Sequence, residues 1–454
     1  QAVPRTESHV SVEIDDGANL THKMGEDFLP AAWGPDSPEI RGRMVFAGYG
    51  ITAPELKYDD FARLEMKGKI AVVLSKFPGG TKQTNWDFYA QKDYDEPLEK
   101  ALAAQKAGAA GIVVILPSNE SIPTLSSLNF KTAKSSLASE VEALHIPAVF
   151  ASYQTGEKLL RRSRGSEHTL QALQDKIDSA LKPASLPLER IASIQTSYER
   201  KKLQGRNVIG VIPGSDPRLR DECILIGAHH DHIGVGENQE IYYGADDDAS
   251  GTTGLLELAE AFQSGPLRPR RSIVLAAWGA EELGLLGSKH YAFNPVFPLN
   301  KTVAMIQLDM IGRNEQRPGD TANGEPEEKD ENNTNTLSIA GSAFSPDLKL
   351  WFEACNRRTG LTLRYRYDSG QENLLKRSDH WCFLRVGIPS VFLFTGFHPD
   401  YHRPSDTADK INYEKMERIL RLLYLSTWAL ADHTSPPRFV TPRSTTAKSA
   451  SHQP

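Results

Sequence analysis

The sequence predicts an α/β fold with a mostly parallel central sheet, joined to a smaller β-rich module, on three observations. Beyond residue 223, runs that are apolar throughout recur between helical segments: CILIGA (223–228), SIVLAAW (272–278), TVAMIQL (302–308) and SVFLF (390–394). Strands apolar on both faces belong to a parallel sheet covered by helices on both sides. Between about residues 30 and 165 the texture differs, with short strands, many turns and only one or two helices, as in a compact β-rich unit.

Taken in order, MVFAGYGI (44–51) and KIAVVLS (69–75) read as strands, and ALAAQKAGAAG after Pro97 as a helix. GIVVIL (111–116) and IPAVFAS (146–152) are further strands, followed by a helical stretch at 156–160. TLQALQDKIDSALK carries Leu and Ile at helical spacing and opens a second region. IASIQTSYERKKLQGRNVIGVIPG then reads as two paired strands, the second ending in a Pro-Gly turn. The alternating part adds helix 250–263, a helical turn after Glu282, strand 337–340, helix 345–358, strand 361–367, a short helix at 379–385 and helix 412–430.

The expected division is a leading strand or linker (1–29), the β-rich module (30–165), the α/β domain (166–433) and a Ser-, Thr- and Pro-rich tail (434–454) that ends flexibly or straps the surface. Residues 314–335 are polar and acidic; they read as an exposed loop whose carboxylates offer, at most, a weak calcium (Ca2+) site. Asn332-Asn333-Thr334 is a glycosylation sequon, meaningful only in a host that glycosylates.

Composition removes several function classes. The chain has 454 residues and is 39% apolar before its 34 glycines are counted, enough to bury a real core. A net charge of −6 gives no bulk attraction for nucleic acid. The longest apolar runs are strand-length, far short of the roughly 20 residues that span a bilayer. Cys223, Cys355 and Cys382 lie far apart with no C-x-x-C pair and read as small buried hydrophobes, with one disulfide left open.

Chemistry collects at the strand ends, where an open α/β sheet binds its ligands. Strand 223–228 runs into His229-His230-Asp231-His232, and Asp246-Asp247-Asp248 precede helix 250–263. Strand 272–278 leads to Glu281-Glu282, strand 302–308 to Asp309, and strand 390–394 through a loop to Tyr401-His402. Any one acid before a helix is most simply a cap, the first role for Asp248 or Ser250. Together, so many carboxylates facing one crevice would repel one another and raise their own pKa values without a cation between them. Imidazole with carboxylate favours zinc, with cobalt or manganese as substitutes.

GAHHDHIG (227–234), GADDDASG (244–251), WGAEELGLLGS (278–288), LDMIGR (308–313), SDHWCFLRVGIPSVFLFTG (378–396) and DYHRPSDTADKI (400–411) resemble the zinc aminopeptidases of the M28 peptidase family. FAGYGI and HIPAVFAS resemble the protease-associated (PA) domain that many members carry as an insert. The resemblance covers roughly residues 20–430. It implies a three-layer zinc-exopeptidase sandwich and two Zn2+ ions, one on His229 and Asp309, the other on Glu282 and His402, bridged by Asp247. It implies Asp231 as the acceptor for the second ring N–H of His229 and Tyr401 as an oxyanion donor, with Asp246, Asp248, His230 and His232 not ligating. Glu281, next to a ligand but not one itself, is the expected general base.

The implied substrate is a peptide with a free N-terminus, its α-ammonium drawn to Glu281, Glu282 and Asp309. Phe394, Phe397 and Met310 are candidates for an apolar first-residue pocket. The rival enzymatic reading, a glutamate-type carboxypeptidase, needs an arginine cluster; Arg357, Arg358, Arg364 and Arg366 are the candidates and do not match one. A glutaminyl cyclase relative is disfavoured by the inserted module. A non-enzymatic, transferrin-receptor-like binding protein is disfavoured by the intact ligand positions. The resemblance also implies export, to a bacterial periplasm or exterior. Relatives with the insert begin with catalytic-domain helices; this chain begins at QAVPRTESHV, so an upstream segment is missing or another part covers that face.

Overall fold

The computed structural model describes residues 2–5, 7–13, 19–79, 94–122, 137–160, 169–236, 238–315, 333–368 and 374–440. The chain forms two compact units, one running to Leu203 and the other starting at Gln204. The expected calcium loop falls mostly on 316–332, and most of the tail on 441–454, outside the described residues. Among the described residues no helix is long and apolar enough to cross a membrane, and the three cysteines are free.

The first unit is built on an eight-stranded sheet. Its strands are β1 (His9–Glu13), β2 (Asn19–His22), β3 (Phe28–Pro30), β4 (Ser37–Phe46), β5 (Ile70–Leu74), β6 (Gly111–Ile115), β7 (Ala148–Ala151) and β8 (Leu186–Thr196). Their order is β2-β1-β8-β4-β5-β6-β7-β3, and β4 to β7 run parallel to one another. Helix α1 (Pro97–Lys106) packs on β6; α2 (Leu170–Ala180) is capped by the Thr169 side chain on the Ala172 amide.

The expected hairpin around residues 191–214 does not form. Leu186–Thr196 pairs with β4 and β1, whereas Val208–Ile212 pairs with a strand of the other unit's sheet. The polar stretch between them, ERKKLQGRN, contains no tight turn signal, so the two strands are free to join different sheets. The compact units accordingly divide at 203/204, later than a boundary drawn at 165/166.

A buried charge lies in the first unit. Lys100, 1% exposed, donates its Nζ protons to the Tyr49 and Lys76 carbonyls, each at 2.6 Å. Asp60, equally buried, accepts from the Tyr49 and Ile51 amides at 3.0 and 3.1 Å and from the Tyr58 hydroxyl at 2.9 Å. Burial pushes the Asp60 carboxyl up to about 7 and the Lys100 ammonium down to about 7, each partly offset by the other's charge.

The second unit holds a seven-stranded sheet: β9 (Val208–Ile212), β10 (Cys223–His229), β11 (Ser272–Trp278), β12 (Thr302–Leu308), β13 (Thr336–Ala340), β14 (Thr362–Arg364) and β15 (Ser390–Phe394). The order is β9-β11-β10-β12-β15-β13-β14. The central four, β11, β10, β12 and β15, are parallel, while β9 and β13 join antiparallel. Every residue of β10, β12 and β15 is buried, as the both-face apolar pattern requires. Helices α3 (Gly251–Ser264), α5 (Pro346–Asn356) and α7 (Tyr413–Asp432) pack together on one side; α4 (Leu286–Phe293) and α6 (His380–Leu384) pack together at β12 and β15. Ile224, Ile226 and Ala228 of β10 join Leu255, Leu258 and Phe262 of α3 and Leu422 and Leu423 of α7 in one core. The parallel strands deliver their carboxyl ends to a single edge.

Candidate metal centre

Each donor reaches that edge for a local reason. His229 is the last residue of β10, in register with Trp278 of β11, and Glu281 and Glu282 follow one turn later. Asp309 directly follows β12. Asp247 sits in the turn Ala245–Ser250 that leads into α3. Gly244 starts that turn at φ 62°, and a Cβ there would lie 2.3 Å from the Asp247 carbonyl, so only glycine fits. Ala280, Met310 and His402 hold left-handed backbone at φ 60°, 58° and 56°. Each costs about 1 kcal/mol or more for a residue with a Cβ, strain of a kind that concentrates at functional sites.

The side chains converge. His229 Nε2 lies 3.2 Å from Asp247 Oδ1 and 3.7 Å from Asp309 Oδ1. His402 Nε2 lies 3.1 Å from Asp247 Oδ2 and 3.3 Å from Glu282 Oε2. Among the described residues, two groups of three donors have atoms within 4.8 Å of one another: His229, Asp247 and Asp309, and His232, Asp247 and Glu282. Asp247 is common to both.

Electrostatically the cluster is short of positive charge. Burial, reinforced by Asp379, Asp309 and Glu282, holds the Glu281 carboxyl well above the usual range. Burial likewise raises Asp309. Burial alone would lower His229, but Asp309 and Asp247 outweigh it and raise it well above the ordinary imidazole value. His402 rises to about 9 for the same reason, against burial, through Asp247 and Glu282. Asp247 Oδ2, Glu282 Oε1 and both ring nitrogens of His232 are buried, and despite the close approaches of His402 to Asp247 and of His232 to Glu282 none of these atoms is in a well-aligned hydrogen bond. Unsatisfied anionic oxygens beside imidazole nitrogens are a donor set that fits divalent cations.

Surrounding groups fix the donors. The expected partner of His229 Nδ1, the Asp231 carboxylate, lies 3.9 Å away; the Asp231 main-chain carbonyl takes that place at 3.0 Å, because the chain turns back within two residues. The carboxylate instead accepts the amides of Glu281 and Glu282 at 3.0 and 3.3 Å. Asp248 caps α3 through the Gly251 amide at 2.9 Å, as expected, and also accepts the His229 and Met310 amides at 3.0 and 3.2 Å. Ser378 Oγ donates to Asp309 Oδ2 at 2.6 Å. Sequence reasoning set His232 aside, yet its Nδ1 approaches Glu282 Oε1 to 2.9 Å; its spacing from His229 was the available signal.

A pocket of about 230 Å³ opens beside the cluster. Asp247, Glu281, Glu282 and Asp309 line its charged end, and Met310, Leu374, Phe392, Phe394 and Phe397 its apolar wall. The three apolar candidates from the sequence all line it. A file of rings connects wall to donors: Phe394 to Phe397 at 5.0 Å, Phe397 to Tyr401 at 5.2 Å, and Tyr401 stacked on His402 at 3.9 Å. None of Arg357, Arg358, Arg364 and Arg366 lines the pocket; Lys376 and Arg377 do.

Comparison with known proteins bears on this arrangement. A PA domain model matches residues 40–159. Leupeptin-inactivating enzyme 1 of Streptomyces exfoliatus is 27% identical over 254 residues, spanning 51% of this chain and 50% of its own length. The uncharacterized protein YfbL of Escherichia coli strain K12 is 30% identical over 220 residues, 45% of this chain and 67% of its own. Aminopeptidase YwaD of Bacillus subtilis strain 168 is 24% identical over 385 residues, 81% of this chain and 65% of its own. The chain thus spans from half to two thirds of the length of these relatives. The model for peptidase family M28 matches residues 207–426, the stretch that carries His229, Asp247, Glu282, Asp309 and His402, and the chain belongs to that family.

Proposed function

We propose that this chain is a two-zinc aminopeptidase that removes the N-terminal residue of peptides with a free α-amine, favouring apolar first residues. The observation that carries the reading is one carboxylate, Asp247, shared by two donor clusters at the charged end of an otherwise apolar pocket. His229 and Asp309 would hold one zinc, and Glu282 and His402 the other, with Asp247 between them. When bound, the pair supplies positive charge that polarises the scissile carbonyl and offsets the charge that develops on it.

The chain's own groups do the rest. Glu281 takes a proton from the attacking water and returns it to the leaving amine. Its nearly buried carboxyl, 4.0 Å from His229 Nε2, is directed by the hydrogen bond from its own amide to Asp231. Burial raises the Tyr401 pKa, so the hydroxyl stays protonated and can donate to the developing oxyanion. The free α-ammonium is attracted by the carboxylates at the pocket's charged end, while Met310, Phe394 and Phe397 receive the first side chain.

Lys376 and Arg377 favour a second reading, a carboxypeptidase that grips a terminal carboxylate. The four carboxylates at the charged end favour the amine instead. Hydrolysis of leucine anilide, which has a free amine and no carboxylate, against an N-acetylated dipeptide with a free terminal carboxylate separates the two. The free amine is expected to react at least about 100-fold better, because acetylation removes the charge that the site recognises. Preferential cleavage of the acetylated compound would overturn the aminopeptidase reading.

A further inference from the structure

We infer that Asp406 is a positioning residue: it fastens the peptide of the bridging ligand Asp247 to the loop that carries His402, so that the Glu282–His402 metal position depends on it. The inference rests on the two-metal reading above.

Three consecutive amides end on this one residue. The Ala245 N–H donates to the Asp406 carbonyl at 3.3 Å, and the Asp246 and Asp247 N–H groups donate to Asp406 Oδ2 at 3.0 and 3.3 Å. Asp406 follows His402 by four residues and is fully buried. One carboxylate therefore links two ligands that are 155 residues apart in the chain but share the second metal position.

The surroundings show why this carboxylate can stay buried without a metal of its own. Asp406 Oδ1 faces Arg313 Nη1 at 3.7 Å, and Arg313 Nη2 reaches Asp400 Oδ2 at 3.0 Å. Lys410 Nζ donates to Asp400 Oδ1 at 2.7 Å. Asp246 accepts the Gly312 amide at 2.7 Å and faces His398 Nε2 at 3.3 Å. The Arg313 guanidinium thus supplies positive charge beside Asp400 and Asp406, at 3.7 Å from the latter too far for a hydrogen bond.

The other half of the centre is fastened differently. Asp248 accepts the amides of His229 and of Met310, the residue after Asp309, and it does so without Asp406. Losing the Asp406 side chain therefore loosens Asp247 and the His402 loop while His229 and Asp309 keep their support. Groups that orient metal ligands are worth about 10–100-fold in metal affinity, so the two metal positions should respond unequally.

The test is titration of the metal-free full chain with cobalt(II), followed by visible absorption and calorimetry. Wild type is expected to bind two equivalents. In Asp406→Ala the second equivalent should weaken at least about 10-fold, with the first within about threefold of wild type and its ligand-field bands unchanged. Asp406→Asn keeps an acceptor for the amides and should restore the second equivalent to within about threefold. If Asp406→Ala does not match the wild-type circular dichroism, Asp406→Ser, whose hydroxyl is too short to reach the amides, takes its place with the same expectation. Unchanged affinity for both equivalents, equal weakening of both, or an Asn variant as impaired as Ala would overturn the inference. Fewer than two equivalents on wild type would instead overturn the two-metal reading beneath it.

Discussion

Replacing Glu281 by Gln is expected to lower kcat by about 10²–10⁴-fold while zinc content and KM stay near wild type. Gln keeps the shape and the main-chain hydrogen bond to Asp231 but cannot carry a proton from the attacking water to the leaving amine. The carboxyl faces His229, Asp309 and Glu282 from a nearly buried position, so its charge state is governed by whatever neutralises that cluster. A surface acid without a role in proton transfer would leave kcat within a few-fold of wild type. Turnover and elemental zinc, measured on the same preparation, check the prediction. Equal loss of zinc and turnover would reassign Glu281 as a ligand.

The largest stability effect is expected in the first unit. Lys100→Met should destabilise it by about 3–5 kcal/mol, because the Asp60 carboxyl then stays buried without its compensating ammonium. The Tyr49 and Lys76 carbonyls also lose their donor. The pH dependence has a definite sign. The folded-state value of Asp60 is raised above its unfolded value, so its contribution is full below the unfolded pKa and is lost as pH rises through the folded one. Without Lys100 the folded value rises further. The variant should therefore melt lower at pH 8 than at pH 5, by a wider margin than wild type. Melting of the full chain at both pH values measures this, and a pH-independent difference between variant and wild type would count against it.

Much of the second unit was legible because its strands are apolar on both faces, a pattern that a half-exposed sheet does not produce. The convergence of His229, Glu282 and Asp309 was legible because each lies at the end of such a strand or just beyond it, and the carboxyl ends of parallel strands meet at one edge; Asp247 joins them from the turn that leads into α3. The pairing of Leu186–Thr196 was not legible. An alternating strand specifies a face, and its partners here, β1 and β4, pair with it from at least 140 residues upstream. The supporting carboxylates were obscured by a second effect. Asp248 looks like an ordinary helix cap and is one, but its additional amide partners, His229 and Met310, come from other strand ends. Asp406 lies inside the DYHRPSDTADKI segment but carried no assigned role there, because its partners are backbone amides that any sequence would offer. Asp231 was expected at the right residue but through the wrong atom, since the carbonyl reaches His229 first and frees the carboxylate for Glu281 and Glu282. The cations at the pocket, Lys376 and Arg377, lie in a short segment before α6, away from Arg357 and Arg358 just after α5 and from Arg364 and Arg366 at and just beyond the end of β14.

The central claim is that a crowd of buried carboxylates at this sheet edge is compensated by a pair of divalent cations. Elemental analysis of purified, undialysed protein tests it most directly. About two zinc ions per chain are expected, falling to less than one in Asp247→Ala, where the shared oxygens are gone. A wild-type chain that carries no transition metal, and takes none up when zinc, cobalt or manganese is supplied, would contradict the account.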